Sequence, residues 1–307
     1  MRAARIHEYG DASVIRYEEV PRQAPGPQQV LIRVAATSFN PSESGLRSGY
    51  LRTVLPVDLP YTLGWDVAGT VEATGAHVDA FSEGDPVVGR LDTGGAAAEY
   101  VIADTANLVR APTTIPLPHA GALPVAGLTA WQAVYEHARI TPGQRVLVNG
   151  AGGGVGGFAV QLAKHAGAYV VATASPRSTH AVRELGADHI IDYTASVLGE
   201  ALDKPVDVIL NLVPLNPGAS AGLLSTLRPD GTILSITNPI EPPTHAAVKA
   251  MTFIARNDVR QLQALVHLID SNAVRVDIAD SRPLADLASV HRDAEAGRLR
   301  GKTILTP

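Results

Sequence analysis

The chain has no cysteine, and only two methionines and two tryptophans among its 307 residues. Without cysteine there is no disulfide, no thiolate nucleophile and no cysteine-ligated zinc. Lysine is almost as scarce: four of the 25 basic residues are Lys, and no basic run exceeds a neighbouring pair. With 30 acidic residues the net charge is −5, which gives no electrostatic case for binding nucleic acid or a membrane surface. No apolar run approaches the roughly 18 residues of a membrane span. Met1-Arg2-Ala3-Ala4-Arg5-Ile6 is followed by no apolar core, so it does not read as a signal peptide. The ten histidines are scattered, with no HExxH and no close pair, so no metal site is expected. These absences fit a cytoplasmic protein.

Glycine is plentiful, at 28 residues, and it clusters. Arg145 to Gly157 reads RVLVNGAGGGVGG, an apolar strand running into a glycine turn, and FAVQLAKHAGA follows as a helix. Strand, glycine turn and helix in that order make a dinucleotide-binding turn. Ala151, Gly153 and Gly156 take the three fingerprint positions, with alanine for the first glycine. The backbone of Gly153, Gly154 and Val155 is expected to meet the pyrophosphate, helped by the positive end of the helix. The bland reading is a glycine-rich connection with no ligand.

The next strand, AYVVATAS, ends in Thr173-Ala174-Ser175-Pro176-Arg177-Ser178 with no acidic residue. A carboxylate there would accept from a ribose 2′-OH, whereas hydroxyls and a guanidinium suit a 2′-phosphate. NADPH is therefore favoured over NADH. The competing reading is that Arg177 is simply solvated.

Along the chain, the first third is strand-rich: Met1–His7, Val30–Ser38, Asp66–Thr74, Pro86–Arg90 and Ala97–Ala103. His119 to Ala138 reads as helix interrupted at Pro124. Strands and helices then alternate, with strands at Arg145–Asn149, Tyr169–Thr173, His189–Ile191, Val206–Leu212 and Gly231–Thr237, and helices including Ser178–Leu185 and Ala219–Leu227. Such alternation implies a doubly wound parallel sheet. Helices at Val259–Ile269 and Leu284–Ala296 and a strand at Thr303–Leu305 complete the chain.

Several segments together resemble one family. VAATSFNPSE, LPYTLGWDVAGTVEATG, FSEGDPVVG, AAEYVIAD, GLTAWQAV, the glycine turn with its helix, ELGADHIIDYT and RGKTIL occur in order over the whole length. The chain is similar to medium-chain dehydrogenases/reductases of the zinc-independent quinone oxidoreductase group. The resemblance implies an α/β fold: a GroES-like β domain, 1–119 and 258–307, that carries substrate, plus a Rossmann NADPH-binding domain, 120–257, with the active site in the cleft between them. Zinc alcohol dehydrogenases of the same superfamily hold catalytic zinc with a Cys and a Gly-His-Glu segment. Here those places read Ser38-Phe39-Asn40-Pro41 and Leu63-Gly64-Trp65-Asp66, and the four-cysteine zinc lobe is missing. Without a Lewis acid an alkoxide is hard to stabilise, so reduction of a quinone or an α,β-unsaturated carbonyl is the expected chemistry.

By the same resemblance Asn40 and Tyr50 line the substrate cleft, Asn40 and Thr129 face the nicotinamide end, and Ser175, Arg177 and Tyr193 surround the 2′-phosphate, with Thr173 beside them. Leu212 and Val213, and the strand end Ser235, Ile236 and Thr237, are expected at the adenine or nicotinamide side, beyond the carboxyl ends of parallel strands. Asp66 competes with Tyr50 as a proton donor, and solvent is a third possibility. Two departures from the family pattern are Asn149 before the turn and Asn211-Leu212-Val213-Pro214-Leu215-Asn216 in place of a Val-Gly-Gly segment. Two other functions compete: an enoyl-thioester reductase, for which Arg47 and Arg52 beside Tyr50 would form a basic mouth, and a non-catalytic NADPH-binding redox sensor. The resemblance also implies a homodimer through an edge strand near Met251–Ala255.

Overall fold

The computed structural model describes residues 1–196, 198–242 and 247–307. The chain divides into two compact units, one of Met1–Ala126, Asn257–Asn272 and Ile278–Pro307, the other of Gly127–Arg256 and Ala273–Asp277. The architecture is α/β: a GroES-like β unit and a Rossmann-like unit with a parallel sheet.

In the first unit the Gln29–Ser38 strand is the spine. It pairs antiparallel with Asp66–Thr74, Tyr100–Asp104 and Lys302–Thr306. Val30, Ile32 and Val34 alternate onto one face and meet Val67, Val71, Val87 and Val101 in the core. A three-stranded sheet of Arg2–Ile6 between Ile15–Glu19 and Tyr61–Thr62 covers a second core that includes Phe39, Leu46, Leu284 and Val290. The helix Val259–Asp270 presents Leu262, Leu265, Val266 and Ile269 inward, the spacing of one helical face. Asp258 caps it by accepting from the N–H groups of Arg260 and Gln261.

Among the described residues the second unit holds six parallel strands in the order His189–Asp192, Tyr169–Ala174, Arg145–Asn149, Val206–Asn211, Leu227–Ser235, Lys249–Thr252. The central strands read as continuous apolar runs, Val146-Leu147-Val148 and Val208-Ile209-Leu210, because helices cover both faces of such a sheet. The order reverses between Arg145–Asn149 and Val206–Asn211, which makes that junction the switch point.

Several elements differ from the sequence expectation. The Ile15–Glu19 strand, the Pro41–Arg47 helix and the Ile278–Pro283 strand lack a pattern of their own. The last contains Asp, Ser and Pro, yet it pairs parallel with Lys302–Thr306 at the sheet edge. The helix expected over Ala219–Leu227 runs from Pro217 to Leu224, since Asn216 caps it and Pro217 suits a first turn. Leu227 already begins the following strand, Leu227–Ser235. The stretch expected as one interrupted helix forms a short turn of helix, Leu117–Ala120, an α-helix from Pro124 to Trp131, and a π-helical end, Gln132–His137.

The Pro41–Arg47 helix is held by buried polar groups rather than by propensity. Arg47 is 1% exposed, donates to Gly10 O and pairs with Glu295. His291 is fully buried, with Nδ1 3.1 Å from Ser44 Oγ and its ring edge-on to Phe39. Burial, with the Arg47 charge adding to it, pushes the His291 imidazole down to about 3, so the ring is neutral in the fold. An unfolded histidine titrates near 6.5, so this group's stability contribution is full above that pH and falls towards pH 3. We predict that between those limits wild type loses stability relative to His291→Leu by up to about 1.4 kcal/mol per pH unit. Urea midpoints of both proteins across that range check this; parallel curves would refute it.

Candidate functional site

In the parallel-sheet unit the Arg145–Asn149 strand turns through glycine into the helix Gly154–His165. Gly150 has φ +95°, and a methyl group on it would lie 2.6 Å from Val213 Cγ1. A methyl on Gly156 would collide with Gly150 O and lie 2.6 Å from Ala151 Cα, so helix and strand touch here with no room for a side chain. Gly153 differs. A methyl there would meet only Gly150 O, at an ordinary 3.5 Å, so the chain's own packing does not demand glycine. Gly153 is the N-cap of the helix and offers no side-chain cap, which leaves the first-turn N–H groups without a side-chain acceptor. An exposed glycine before uncapped, dipole-aligned donors fits close approach by a phosphate.

The residues expected around a ribose phosphate lie at the end of Tyr169–Ala174 and just beyond it. Arg177 and Tyr193 are exposed, Tyr193 at 56%, while Ser175 is largely buried. The Ser178 hydroxyl donates to Ser175 O, as does that of Thr179, so both turn inward to hold the loop. An acidic residue also stands close by: Asp192 ends the neighbouring strand, level with Ala174. Its Oδ1 accepts from the Thr194 hydroxyl at 2.6 Å and the Thr194 N–H at 2.9 Å, and these bonds hold its carboxyl below the usual range. Reading one strand end at a time missed it, because the neighbour in space is 18 residues further along the chain.

Thr173 and Ser235 are buried, and their hydroxyls are engaged within the unit, Thr173 with Asn149 and Ser235 with Asn238 O. Thr237 is exposed and donates to Val213 O at 3.0 Å. Leu212, Val213 and Ile236 are half-buried beside them. Thr129 is 8% exposed on the Pro124–Trp131 helix.

In the β unit Asn40 is the N-cap of the Pro41–Arg47 helix and is 4% exposed. Its Nδ2 donates to Asp66 Oδ2 at 2.9 Å and reaches Ser38 O and Glu43 Oε1 at 3.4 Å, while its Oδ1 accepts from Lys302 Nζ at 3.0 Å. The amide hydrogens are thus spent internally, and only a second lone pair on Oδ1 is left unused by these partners. Asp66, expected as a possible proton donor, is fully buried. Its Oδ2 also accepts from Ser38 Oγ at 2.5 Å, and its Oδ1 accepts from the Val125 N–H at 2.7 Å. Tyr50 sits in a loop at 84% exposure.

Sequence reading overlooked Glu43 and Lys302, both buried in this cluster. Lys302 Nζ is 3.6 Å from Asp66 Oδ2 and also donates to Phe39 O. Burial, then the Asp66 charge, pushes the Glu43 carboxyl up to about 8. Burial also pushes the Lys302 ammonium down, against the pull of Asp66 and Glu43; with Glu43 protonated at neutral pH, the close ion pair of the cluster is Lys302 with Asp66. Among the described residues no group of three or more His, Cys, Asp or Glu is disposed to hold a metal ion. Replacing Lys302 by Met leaves Asp66 charged and buried without its cation. We predict a loss of about 3–5 kcal/mol in unfolding free energy, measured by urea titration; a loss under about 1 kcal/mol would show that the pair contributes little.

The arrangement can be set beside known proteins. The model of the alcohol dehydrogenase GroES-like domain matches residues 26–113, and that of the zinc-binding dehydrogenase matches residues 185–305. The chloroplast envelope quinone oxidoreductase homolog of Arabidopsis thaliana is 32% identical over 327 residues, covering 100% of this chain and 98% of that protein. A solved NAD-dependent alcohol dehydrogenase superposes with a TM-score of 0.90 at 27% identity, covering 100% of both chains. A mycobacterial protein, Rv1454c, solved with NADPH, superposes with a TM-score of 0.87 at 27% identity, also covering 100% of both. No helix among the described residues is long and apolar enough to cross a membrane. The chain belongs to the medium-chain dehydrogenase/reductase family, within its quinone oxidoreductase group, and is an oxidoreductase.

Proposed function

We propose that this protein is a cytoplasmic, NADPH-dependent reductase that transfers hydride to a quinone or an α,β-unsaturated carbonyl without a metal. The observation that carries the reading is Gly153: an exposed glycine that its own chain does not require, at the uncapped start of a helix on the switch-point strand. Its neighbours Gly154 and Val155 add backbone donors for a pyrophosphate. The bound nicotinamide supplies the hydride. The chain's part is to bind, orient and exclude water.

The exposed Arg177 and the Tyr193 phenol suit a 2′-phosphate, while Asp192, whose Oδ1 is taken by Thr194, is the group at this edge that would instead accept from a 2′-OH. NADPH fits this edge better than NADH, although one similar structure is named NAD-dependent. Metal-free chemistry fits an Asp66 whose oxygens are filled by Ser38, Asn40, Val125 and Lys302. A quinone or enone spreads the incoming charge over its own conjugated system and needs no Lewis acid. In this reading Asn40 presents its remaining Oδ1 lone pair to the ribose or substrate, and the exposed Tyr50 lines the entrance. The enoyl-thioester alternative is weakened because Arg47 is buried against Glu295, which leaves Arg52 alone of the two mouth arginines.

The four residues of the edge strand Lys249–Thr252 are all exposed, and Ile254 is 89% exposed. An exposed edge that carries Ala250, Met251 and, just beyond it, Ile254 fits pairing with a second copy across a two-fold axis, although Lys249 opposes it. We expect a dimer by light scattering and a monomer for Met251→Lys; a wild-type monomer would refute the pairing.

The functional test is oxidation of NADPH and NADH against a benzoquinone, a cyclic enone, an enoyl thioester and a simple aldehyde. Turnover with quinone or enone, at least about tenfold more efficient with NADPH, is expected. Gly153→Ala should keep the wild-type unfolding midpoint yet bind NADPH at least about tenfold more weakly. Unchanged NADPH affinity in that variant would remove the glycine argument, and binding without any turnover would favour the sensor.

A further inference from the structure

Adjacent strand ends in the parallel sheet carry polar residues side by side. Asn211 lies level with both Asn149 and Ser235, and Thr173 is next along the row. Their bonds run in one direction. The Gly150 N–H donates to Thr173 Oγ1 at 2.9 Å, and the Thr173 hydroxyl donates to Asn149 Oδ1 at 2.9 Å. Asn149 Nδ2 donates to Asn211 Oδ1 at 2.8 Å. Asn211 Nδ2 donates to Val213 O at 2.9 Å and reaches Ser235 Oγ at 3.3 Å. The Ser235 hydroxyl ends the row on Asn238 O at 2.8 Å. Because Thr173 spends its one proton on Asn149, each carboxamide has a single consistent orientation.

Asn238 closes the far side. The Leu215 N–H donates to its Oδ1 at 3.0 Å, and its Nδ2 donates to Leu215 O at 3.2 Å. One side chain thus satisfies both backbone groups of Leu215, as a paired strand would. The row ties together the two loops that leave the middle strands, 212–216 and 236–238. It begins at Asn149 and Asn211, which end the two strands flanking the switch point, where open α/β sheets take their ligands.

Resting on the NADPH reading above, we propose that Asn149, Asn211 and Asn238 are positioning residues for the nicotinamide half of the cofactor. They hold both loops in the bound shape beforehand, so binding does not have to order them. The half follows from topology. The adenosine ribose belongs at the end of Tyr169–Ala174, on one side of the switch point, and the tethered loops lie on the other.

The test uses the full chain without cofactor, titrated with NADPH and with 2′-phospho-ADP-ribose, which lacks the nicotinamide. Asn238 is only half-buried, so Asn238→Ala is the first variant. Its Kd for NADPH should rise about tenfold while its Kd for the fragment stays within about twofold of wild type. Asn238→Asp keeps the acceptor for Leu215 and should fall between the two, and it decides the matter should the alanine variant not fold. Equal weakening of both ligands, or no change in either, overturns the proposal. A wild-type protein that binds neither ligand overturns the NADPH reading itself, and this proposal with it.

Discussion

The buried carboxylate of Asp66 is the constraint around which the β unit is arranged. A charge with no exposure is tolerable only if every lone pair is used and a cation is near. The hydroxyl of Ser38, the amide of Asn40, the N–H of Val125 and the ammonium of Lys302 meet that demand, and they come from three separate stretches of chain. Satisfying Asp66 therefore fixes the entry to the Pro41–Arg47 helix, the start of the Pro124–Trp131 helix and the last strand together. Asn40 lies at the centre, with its oxygen end set by Lys302 and its nitrogen end by Asp66.

The parallel-sheet unit solves a related problem with neutral groups. Its strand ends lie side by side at the switch point, where, in the proposed cofactor reading, a charge would face an anionic ligand. Carboxamides and hydroxyls satisfy each other there without adding charge. The glycine turn is tied into the same row through the Gly150 N–H. Close packing of Gly150 on Val213 and of Gly156 on the turn leaves Gly153 as the position where the backbone is open.

Much of this was legible in the residues. The glycine turn and the alternation of strands and helices after it are local signals with a local mechanism. Asp66 and Asn40 stood out as residues, but their partners did not. Glu43 reads as the second residue of a polar Ser-Glu-Ser stretch, and Lys302 as one basic residue in Arg-Gly-Lys. Nothing near either announces burial, because the contacts that bury them span 262 residues in the case of Lys302 and Asn40. Ile278–Pro283 was unreadable for the same reason: a segment with Asp, Ser and Pro becomes a strand only because Lys302–Thr306 lies beside it. Asn149 and Asn211 depart from the family pattern in sequence, yet their mutual bond appears only once register places them side by side.

The position of Lys302 bears on how the chain is made. Synthesis begins at the N-terminus, so Ser38, Asn40, Glu43 and Asp66 emerge long before the ammonium that balances them. Until Lys302 is joined, the β unit has a carboxylate to bury and no cation to bury it with. The parallel-sheet unit has nearly all its residues between 127 and 256 and is complete first. A ribosome paused between residues 277 and 302 would therefore have made every residue of the parallel-sheet unit, while the β unit still lacked its cation. In that sense the Lys302–Thr306 strand acts as a latch that cannot close until Lys302 has been made.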